Sequence, residues 1–358
     1  MFTFLPVIIL MFAVTIYVVY FLLRVFFSAE KKGRVIIITS LLLILAGFIS
    51  VFIALNFYNN FFLRFIYLIL SLLIGWLFYL TGAGALLRLI SFFKIPNYRL
   101  LLARVGVIGA TIFFIIGVVY GLWPKVKTVE LELANLPQQW RNQKIVLISD
   151  LHLGSIHGVN ILRKNIERIN NLKPDYLIIT GDLFDGHPGQ LAKIGPELKN
   201  FSADKKVIFI AGNHDKYLGL DKLEPYLDEA NILSLIDEAV VIDNLEIIGY
   251  DFLDREWHAD RQIKNLSSYS SQTRLLLNHT PTKIQEAKDL NISLQLSGHS
   301  HRGQMWPVSF FTRLIYGKYH YGLNTEGQYN IYTTSGLGSW GPPLRTFNRP
   351  EIVQIILK

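Results

Sequence analysis

Five short stretches of the sequence place Asp, His and Asn side chains directly after apolar runs. In the first, the apolar residues 145–148 are followed by Asp150 and His152. The other four stretches are Gly181-Asp182, Gly212-Asn213-His214-Asp215, Asn278-His279 and Gly298-His299-Ser300-His301. A carboxylate and an imidazole two residues apart at the end of a strand can bind one metal ion. These residue types therefore predict metal-dependent chemistry.

The elements that must position these side chains alternate between strands and helices. Apolar and alternating runs predict strands over residues 129–133, 144–149, 176–180, 206–211, 274–277, 293–296, 329–334 and 352–357, and a hairpin over 240–250. Amphipathic stretches predict helices near residues 159–170, 191–200, 221–229 and 282–290. This alternation predicts an α/β layer architecture, in which ligands bind at the carboxyl ends of the strands. All five polar stretches fall at such ends.

The first third of the chain has a different composition. The whole sequence is 51% hydrophobic, and its mean hydropathy of +0.34 is high for a soluble domain. Four apolar runs, over residues 2–27, 35–57, 61–90 and 100–123, each reach the about 20 residues that a helix needs to cross a membrane. We therefore predict a four-helix transmembrane region over residues 1–124 and a separate domain over 125–358. The runs contain no Asp, Glu or His, so the region is interpreted as an anchor rather than a transporter.

The net charge of +8 lies entirely in the predicted membrane region. Residues 1–124 contain nine Lys and Arg and one Glu, whereas residues 125–358 contain 26 basic and 26 acidic residues. A neutral second half gives no basis for nucleic-acid binding.

The basic residues cluster in the loops after the first and third runs, which predicts that both loops are cytoplasmic and that the second half is extracytoplasmic. Lys125 and Lys127, just after the last run, weigh against this orientation. The chain has no cysteine, which excludes disulfides and thiolate metal sites.

Together the five stretches resemble the signature of the calcineurin-like metallophosphoesterases, over residues 145–357. The closing stretch, from Gly336-Leu337-Gly338 to Pro350-Glu351-Ile352, resembles the carboxyl end of a bacterial membrane-associated branch of that family. The resemblance implies a four-layered α/β/β/α domain that holds two divalent metal ions. It assigns Asp150, His152 and His301 to the first metal, Asn213, His279 and His299 to the second, and Asp182 as the bridge. It also implies that His214 lies near the phosphoryl group as leaving-group acid or charge stabiliser and that Asp215 orients its imidazole.

The implied ligands suit hydrolysis of a phosphoester. Two cations about 3.5–4 Å apart can screen the phosphate charge and deprotonate a water that bridges them. Mixed nitrogen and oxygen ligands favour Mn²⁺, Fe or Zn²⁺ over Mg²⁺ or Ca²⁺.

Several other residues have less specific contexts. His157 is a candidate substrate contact, and Arg302 either binds a phosphate oxygen or points to solvent. Asp185 and His187 either support the metal ligands or contact substrate, or they belong to a polar loop, which is the preferred interpretation. His258 and His320 have no context that favours a site. The aromatic stretch over residues 305–316 is predicted as a loop that either packs as core or forms a lipid-facing lip.

The sequence thus predicts a membrane-anchored, dinuclear-metal phosphoesterase that acts on a phosphorylated lipid or envelope component. One alternative is a cytoplasm-facing enzyme that resembles the UDP-diacylglucosamine hydrolases and cleaves a pyrophosphate. Another is a metal-containing scaffold without catalysis.

Overall fold

The computed structural model describes residues 5–55, 58, 60–93, 98–252, 263–266 and 273–358, with side chains from residue 13 onward. The chain divides into two compact units. The first comprises Met1–Val119 and Gly341–Leu344, and the second comprises Tyr120–Trp340 and Arg345–Lys358. The sequence-based division after residue 124 did not anticipate that Gly341–Leu344 would group with the first unit.

The described part of the first unit contains four helices. They are α1 (Leu5–Phe26), α2 (Lys31–Ala54), α3 (Phe61–Phe92) and α4 (Arg99–Gly121). Among the described residues, α2, α3 and α4 are long and apolar enough to cross a membrane, so the chain is a membrane protein. The predicted first span lies partly outside the residues with described side chains, and a fourth span stays a prediction.

Close contacts between small residues and polar groups join these helices. A Cβ on Gly84 of α3 would overlap the backbone of Val18 in α1, so the absence of a side chain lets the two helices approach. The Trp76 indole N–H of α3 donates to Thr111 Oγ1 of α4 at 3.0 Å. Asn60 accepts a hydrogen bond from the Leu63 N–H and caps the start of α3.

The described strands of the second unit form two six-stranded mixed sheets. Their orders are β1-β12-β2-β3-β4-β5 and β10-β11-β9-β8-β7-β6. The strands are β1 (Lys125–Leu131), β2 (Lys144–Ile148), β3 (Tyr176–Thr180), β4 (Lys206–Ile210), β5 (Leu233–Ser234), β6 (Glu238–Ile242), β7 (Leu245–Tyr250), β8 (Arg274–Asn278), β9 (Leu294–Ser297), β10 (Gly322–Glu326), β11 (Tyr329–Thr333) and β12 (Glu351–Leu357). Strands β2, β3 and β4 run parallel in the first sheet, and β7, β8 and β9 run parallel in the second.

Six α-helices accompany the sheets in the described part of the second unit. They are α5 (Val159–Asn170), α6 (Leu191–Ile194), α7 (Asn213–Leu218), α8 (Leu220–Glu229), α9 (Ile284–Asp289) and α10 (Val308–Tyr316). Side chains alternate across each strand, so Val146 of β2 packs with Leu162 of α5, whereas Ile145 of β2 packs into the apolar space between the sheets. A further cluster joins the outer face of the second sheet to Ala287 of α9. The apolar clusters therefore order the layers as helices, sheet, sheet and helix.

The predicted strands and most predicted helices are confirmed, including the hairpin of β6 and β7. Two regions differ. The predicted helix over residues 191–200 is the short α6 followed by a 3₁₀ segment, Gly195–Asn200, because Pro196 cannot donate the hydrogen bond that would extend the α-helix. The aromatic stretch predicted as a loop contains the helix α10.

Candidate metal centre

The predicted site residues follow strands of both sheets. Asp150 and His152 follow β2, Asp182 follows β3, Asn213 and His214 begin α7 after β4, His279 follows β8, and His299 and His301 follow β9. Parallel strands end at a common edge of their sheet. The polar side chains at these ends therefore converge from both sheets.

The backbone bends sharply at five of the predicted ligands. Asp150, His152, Asp182, His299 and His301 all have positive φ values, between 47° and 63°. Asp and His are among the residues that tolerate this left-handed conformation best. Each such residue still costs of order 1–3 kcal/mol, a strain that typically occurs at functional sites. Here the bends direct the side chains toward one another.

Asp150, His152 and His301 form the first group of potential ligands. The Nε2 atoms of His152 and His301 are 3.1 Å apart, and His301 Nε2 is 3.4 Å from Asp150 Oδ1. The Asp150 carboxylate also accepts the His299 N–H at 3.1 Å. Three ligand atoms that face one another in this way fit one divalent cation.

Asp182, His279 and His299 form the second group. His279 Nε2 lies 3.2 Å from Asp182 Oδ2 and 3.2 Å from His299 Nδ1. Asp182 Oδ2 is also 3.8 Å from His152 Nε2 of the first group, so this carboxylate lies between the two groups. The buried Asn213 Oδ1 has no hydrogen-bond partner among the described residues. A buried amide oxygen left unpaired is costly unless another group, such as a cation, pairs with it, so Asn213 Oδ1 suits metal binding, and its assignment to the second metal stays a prediction.

Hydrogen bonds set the orientation of two of the imidazoles. His279 donates from Nδ1 to the Thr180 carbonyl at 2.7 Å, and His152 Nδ1 lies 3.2 Å from Asp185 Oδ1. Both bonds use the Nδ1 proton and leave the Nε2 lone pair directed into the site, as in many metal-binding histidines.

The electrostatics of the second group also fit a cation. Burial opposes protonation of His279, but the Asp182 carboxylate outweighs it and raises the pKa of His279 to about 9. Burial and the neighbouring His279 lower the pKa of His299 to about 3. Asp182 therefore draws positive charge into this position, where a divalent metal would supply it.

His214 lies beside the first group. Its ring centroid is 4.7 Å from that of His152, and its Nδ1 is 3.7 Å from Asp185 Oδ1. The His214 backbone N–H donates to Asp182 Oδ1 at 2.8 Å and so fixes the position of that carboxylate. Burial lowers the pKa of His214. Asp185 lies in a loop, as predicted, but the preference for a polar loop without site contacts is wrong, because Asp185 contacts both His152 and His214.

The prediction that Asp215 orients the imidazole of His214 is also wrong. The Asp215 carboxylate is buried and accepts the backbone N–H groups of Gly212, Leu183 and Phe184, at 3.0 to 3.3 Å. Burial raises the pKa of Asp215 to about 7. Asp215 lies in the first turn of α7. Its carboxylate points toward the start of the helix, where it accepts hydrogen bonds from the free N–H groups of the helix start and the adjoining loop. It holds the loop after β3 against the loop after β4.

We expect Asp215→Ala to destabilise the second unit, since it leaves three buried N–H groups without an acceptor. At about 1 kcal/mol or more for each lost acceptor, the melting temperature should fall by roughly 6–12 °C. Asp215→Asn keeps an acceptor oxygen and should show a smaller decrease. Thermal unfolding of the full chain in detergent measures both variants, and a parental melting temperature for Asp215→Ala would contradict this role.

The remaining predicted residues have other contacts. His157 is buried and its Nε2 lies 2.9 Å from Ser339 Oγ, while burial lowers the pKa of His157 to about 4. The Arg302 guanidinium stacks over the Tyr321 ring, 4.2 Å from its centroid. Neither belongs to a ligand group among the described residues, and substrate binding by either stays a prediction. His258 lies outside the described residues.

Sequence reasoning missed Arg345, which is fully buried beside the first group. Its Nη1 donates to the Ser335 carbonyl at 2.6 Å, its Nε donates to the Gly338 carbonyl at 3.1 Å, and its Nη2 lies 3.3 Å from His301 Nδ1. Burial lowers the pKa of Arg345 to about 10, so the guanidinium is still charged at neutral pH. Burial lowers the pKa of His301, and the charges of His152 and Arg345 add to this effect. The lowered pKa favours the neutral imidazole, the state that binds a metal.

The fold and site define an α/β protein with adjoining His and carboxylate groups suited to divalent metals. The sequence pattern of the calcineurin-like phosphoesterases matches residues 143–303. The chain is 34% identical to a metallophosphoesterase of Campylobacter jejuni over 245 residues, which cover 66% of this chain and 63% of that protein. It is 31% identical to a metallophosphoesterase of Aquifex aeolicus over 246 residues, which cover 65% of this chain and 92% of that protein. The chain therefore belongs to the calcineurin-like metallophosphoesterase family.

Membrane helices also occur among its relatives. A transmembrane protein with a metallophosphoesterase domain from Danio rerio is 29% identical over 262 residues, which cover 67% of this chain and 60% of that protein. The chain spans slightly less than two thirds of the length of the Campylobacter relative. The family is one of metal-dependent phosphoesterases, and its divalent metals agree with the ligand groups described above.

Proposed function

We propose that this protein is a membrane-anchored phosphoesterase with two divalent metal ions. The observation that carries the proposal is the position of Asp182, whose Oδ2 lies 3.2 Å from His279 Nε2 and 3.8 Å from His152 Nε2. Asp150, His152 and His301 would hold one metal, Asn213, His279 and His299 the other, and Asp182 both. When bound, two divalent metals supply Lewis acidity and an activated water.

The side chains around this centre have distinct roles in the proposal. His214 donates a proton to the departing oxygen of the phosphoester or stabilises the charge of the phosphoryl group. Asp185 orients His152 through Nδ1 and limits the movement of His214. The backbone N–H of His214 holds Asp182 between the two ligand groups. Arg345 keeps His301 in place from the buried side.

A phosphorylated lipid or cell-envelope component is the proposed substrate. The apolar helices α2, α3 and α4 support this choice, because they keep the chain at a bilayer, where such substrates occur. The basic loops flanking the helices favour an extracytoplasmic second unit. The alternative is a cytoplasm-facing pyrophosphatase of a nucleotide-linked lipid. Reporters fused after Lys358, one active only inside and one only outside the cell, distinguish these two candidates.

Metal removal tests the proposed reaction. The purified full chain in detergent should hydrolyse a nitrophenyl phosphomonoester, a phosphodiester or a pyrophosphate, and dialysis against a chelator should abolish turnover. Addition of Mn²⁺, Fe²⁺ or Zn²⁺ should restore it, with saturation near two metals per chain. A chain that binds two metals and hydrolyses none of these substrates would instead support a scaffold without catalysis.

A further inference from the structure

An exposed apolar surface surrounds the helix α10. All nine residues of α10, which lies wholly within the described chain, are at least partly exposed. Phe310, Phe311, Leu314 and Ile315 expose between 56% and 66% of their surface. The sequence left open whether this stretch packs as core or faces lipid, and these exposures exclude the core. Soluble surfaces rarely present so many large apolar side chains together.

Aromatic residues extend this surface beyond the helix. Trp306 lies just before α10 and is half exposed. Its ring contacts that of Phe347 at a centroid distance of 6.5 Å. Phe347 is 68% exposed and has a φ of 58°, a strained conformation for a bulky residue. We call Trp306, Phe310, Phe311, Leu314, Ile315 and Phe347 the α10 surface.

The charge around the α10 surface is one-sided. Residues 301–320 and 338–350 contain no Asp or Glu. Of their basic residues, Arg313 of α10 is exposed and Arg302 and Arg349 are partly exposed, whereas Arg345 is buried beside the first ligand group and Lys318 pairs with Glu326. Residues 125–358 as a whole are neutral, so positive charge is concentrated in these two segments. Basic residues beside exposed aromatic and aliphatic side chains match a bilayer surface with anionic headgroups.

The segment that carries Phe347 also contacts the start of the second unit. The Arg349 guanidinium lies 4.8 Å from the ring centroid of Tyr120, which belongs to the last turn of α4. The Lys125 N–H, at the start of β1, donates to the Pro350 carbonyl at 2.9 Å. Residues 345–350 therefore lie where the chain leaves its last apolar helix.

The same segment is bonded to the beginning of α10. The Thr346 N–H donates to the Gln304 carbonyl at 3.0 Å, and the Trp306 N–H donates to Thr346 Oγ1 at 2.7 Å. Within the second unit, a short series of contacts thus connects Tyr120 to Trp306. The α10 surface is therefore connected, through contacts within the second unit, to the last turn of α4.

We infer that the α10 surface inserts into the headgroup region of the same bilayer that holds α2, α3 and α4. The helix lies along the membrane surface with its aromatic and aliphatic side chains among the upper acyl chains. Its last residue, Tyr316, has its ring 6.3 Å from that of His299, so the inserted helix ends at the metal centre. This inference concerns an interaction surface and holds whether or not the centre hydrolyses a lipid.

Single cysteines test the insertion, because the natural chain contains none. Phe311→Cys and Ile315→Cys alter exposed positions, so the core remains intact. Glu224→Cys, at an exposed position of α8, is the matched control. Each full-length variant is labelled with a polarity-sensitive fluorophore and reconstituted into vesicles of phosphatidylcholine and phosphatidylglycerol, with or without spin-labelled lipid.

The fluorophores at positions 311 and 315 should show blue-shifted emission and at least about twofold quenching by the spin-labelled lipid, and the fluorophore at 224 should show neither. Emission and quenching equal to those at position 224 would overturn the inference. A blue shift without quenching would also overturn it, since it would indicate that a protein, such as a second copy of the chain, covers the α10 surface.

Discussion

Asp182→Asn is expected to remove metal from both ligand groups and to lower turnover by about 10³-fold, the upper range for loss of one electrostatic contact in a catalytic site. Asp182 Oδ2 lies close to histidines of both groups, 3.2 Å from His279 Nε2 and 3.8 Å from His152 Nε2. Asn offers one neutral oxygen in place of a shared carboxylate. Two dications would then lie close together with one fewer negative charge between them.

Metal content measured by mass spectrometry, together with turnover of a phosphodiester, checks this expectation. Asn has the shape of Asp and can still accept the His214 N–H, so the fold should persist and the melting temperature of the metal-free chain should change little. Asp228→Asn, at an exposed position of α8, is the control and should keep both metals. Two bound metals and full activity in Asp182→Asn would refute the bridging role.

The sequence was informative about this site because its potential ligands follow apolar strands. β2, β3 and β4 are buried on both faces, so their sequences are nearly continuous apolar runs that end abruptly. Asp150 and Asp182 stand directly after such runs, and their position at a sheet edge follows from strand direction alone. His279 and His299 converge with them only because the two sheets pack against each other. The motif resemblance implied this packing, but the periodicity of the sequence could not show it.

The contacts that the sequence did not predict depend on side-chain direction. Asp215 is adjacent to His214 in sequence but points toward backbone N–H groups, because successive residues at the start of a helix face different ways. Asp185 is 29 residues away from His214, yet it reaches the same imidazole. Proximity in sequence was therefore a poor guide to which carboxylate contacts the histidine.

Arg345 and α10 were missed for related reasons. Arginine is rarely buried, and only the fold shows that the carbonyl groups of Ser335 and Gly338 surround this guanidinium. In α10, large apolar residues occupy positions that the sequence pattern could equally assign to a core. Whether such a helix packs inward or outward depends on whether the rest of the domain has room for it. Here the sheets are already covered by other elements.

His214→Ala is expected to retain both metals and to lower turnover by roughly 10²–10⁴-fold. The His214 side chain contacts His152 and Asp185 but belongs neither to the group of Asp150, His152 and His301 nor to that of Asp182, His279 and His299. However, His152, Asp185 and His214 also lie close enough together to hold a cation. Metal content therefore distinguishes the two possible roles. Loss of a metal from His214→Ala would make this residue a ligand and contradict the assignment.

The identity of the leaving group separates proton donation from simple charge stabilisation. Nitrophenolate departs without a proton, whereas an alkoxide needs one, so a general acid matters most for an alkyl ester. If His214 is the acid, His214→Ala should lose much more activity toward an alkyl phosphoester than toward a nitrophenyl ester. Asp185→Asn should lose about 10–100-fold, as expected of a residue that orients others. His320→Ala, which removes a histidine outside the ligand groups, should keep full activity toward both esters. Equal losses toward both esters in His214→Ala would assign His214 to charge stabilisation, because its contribution would not depend on the basicity of the departing oxygen.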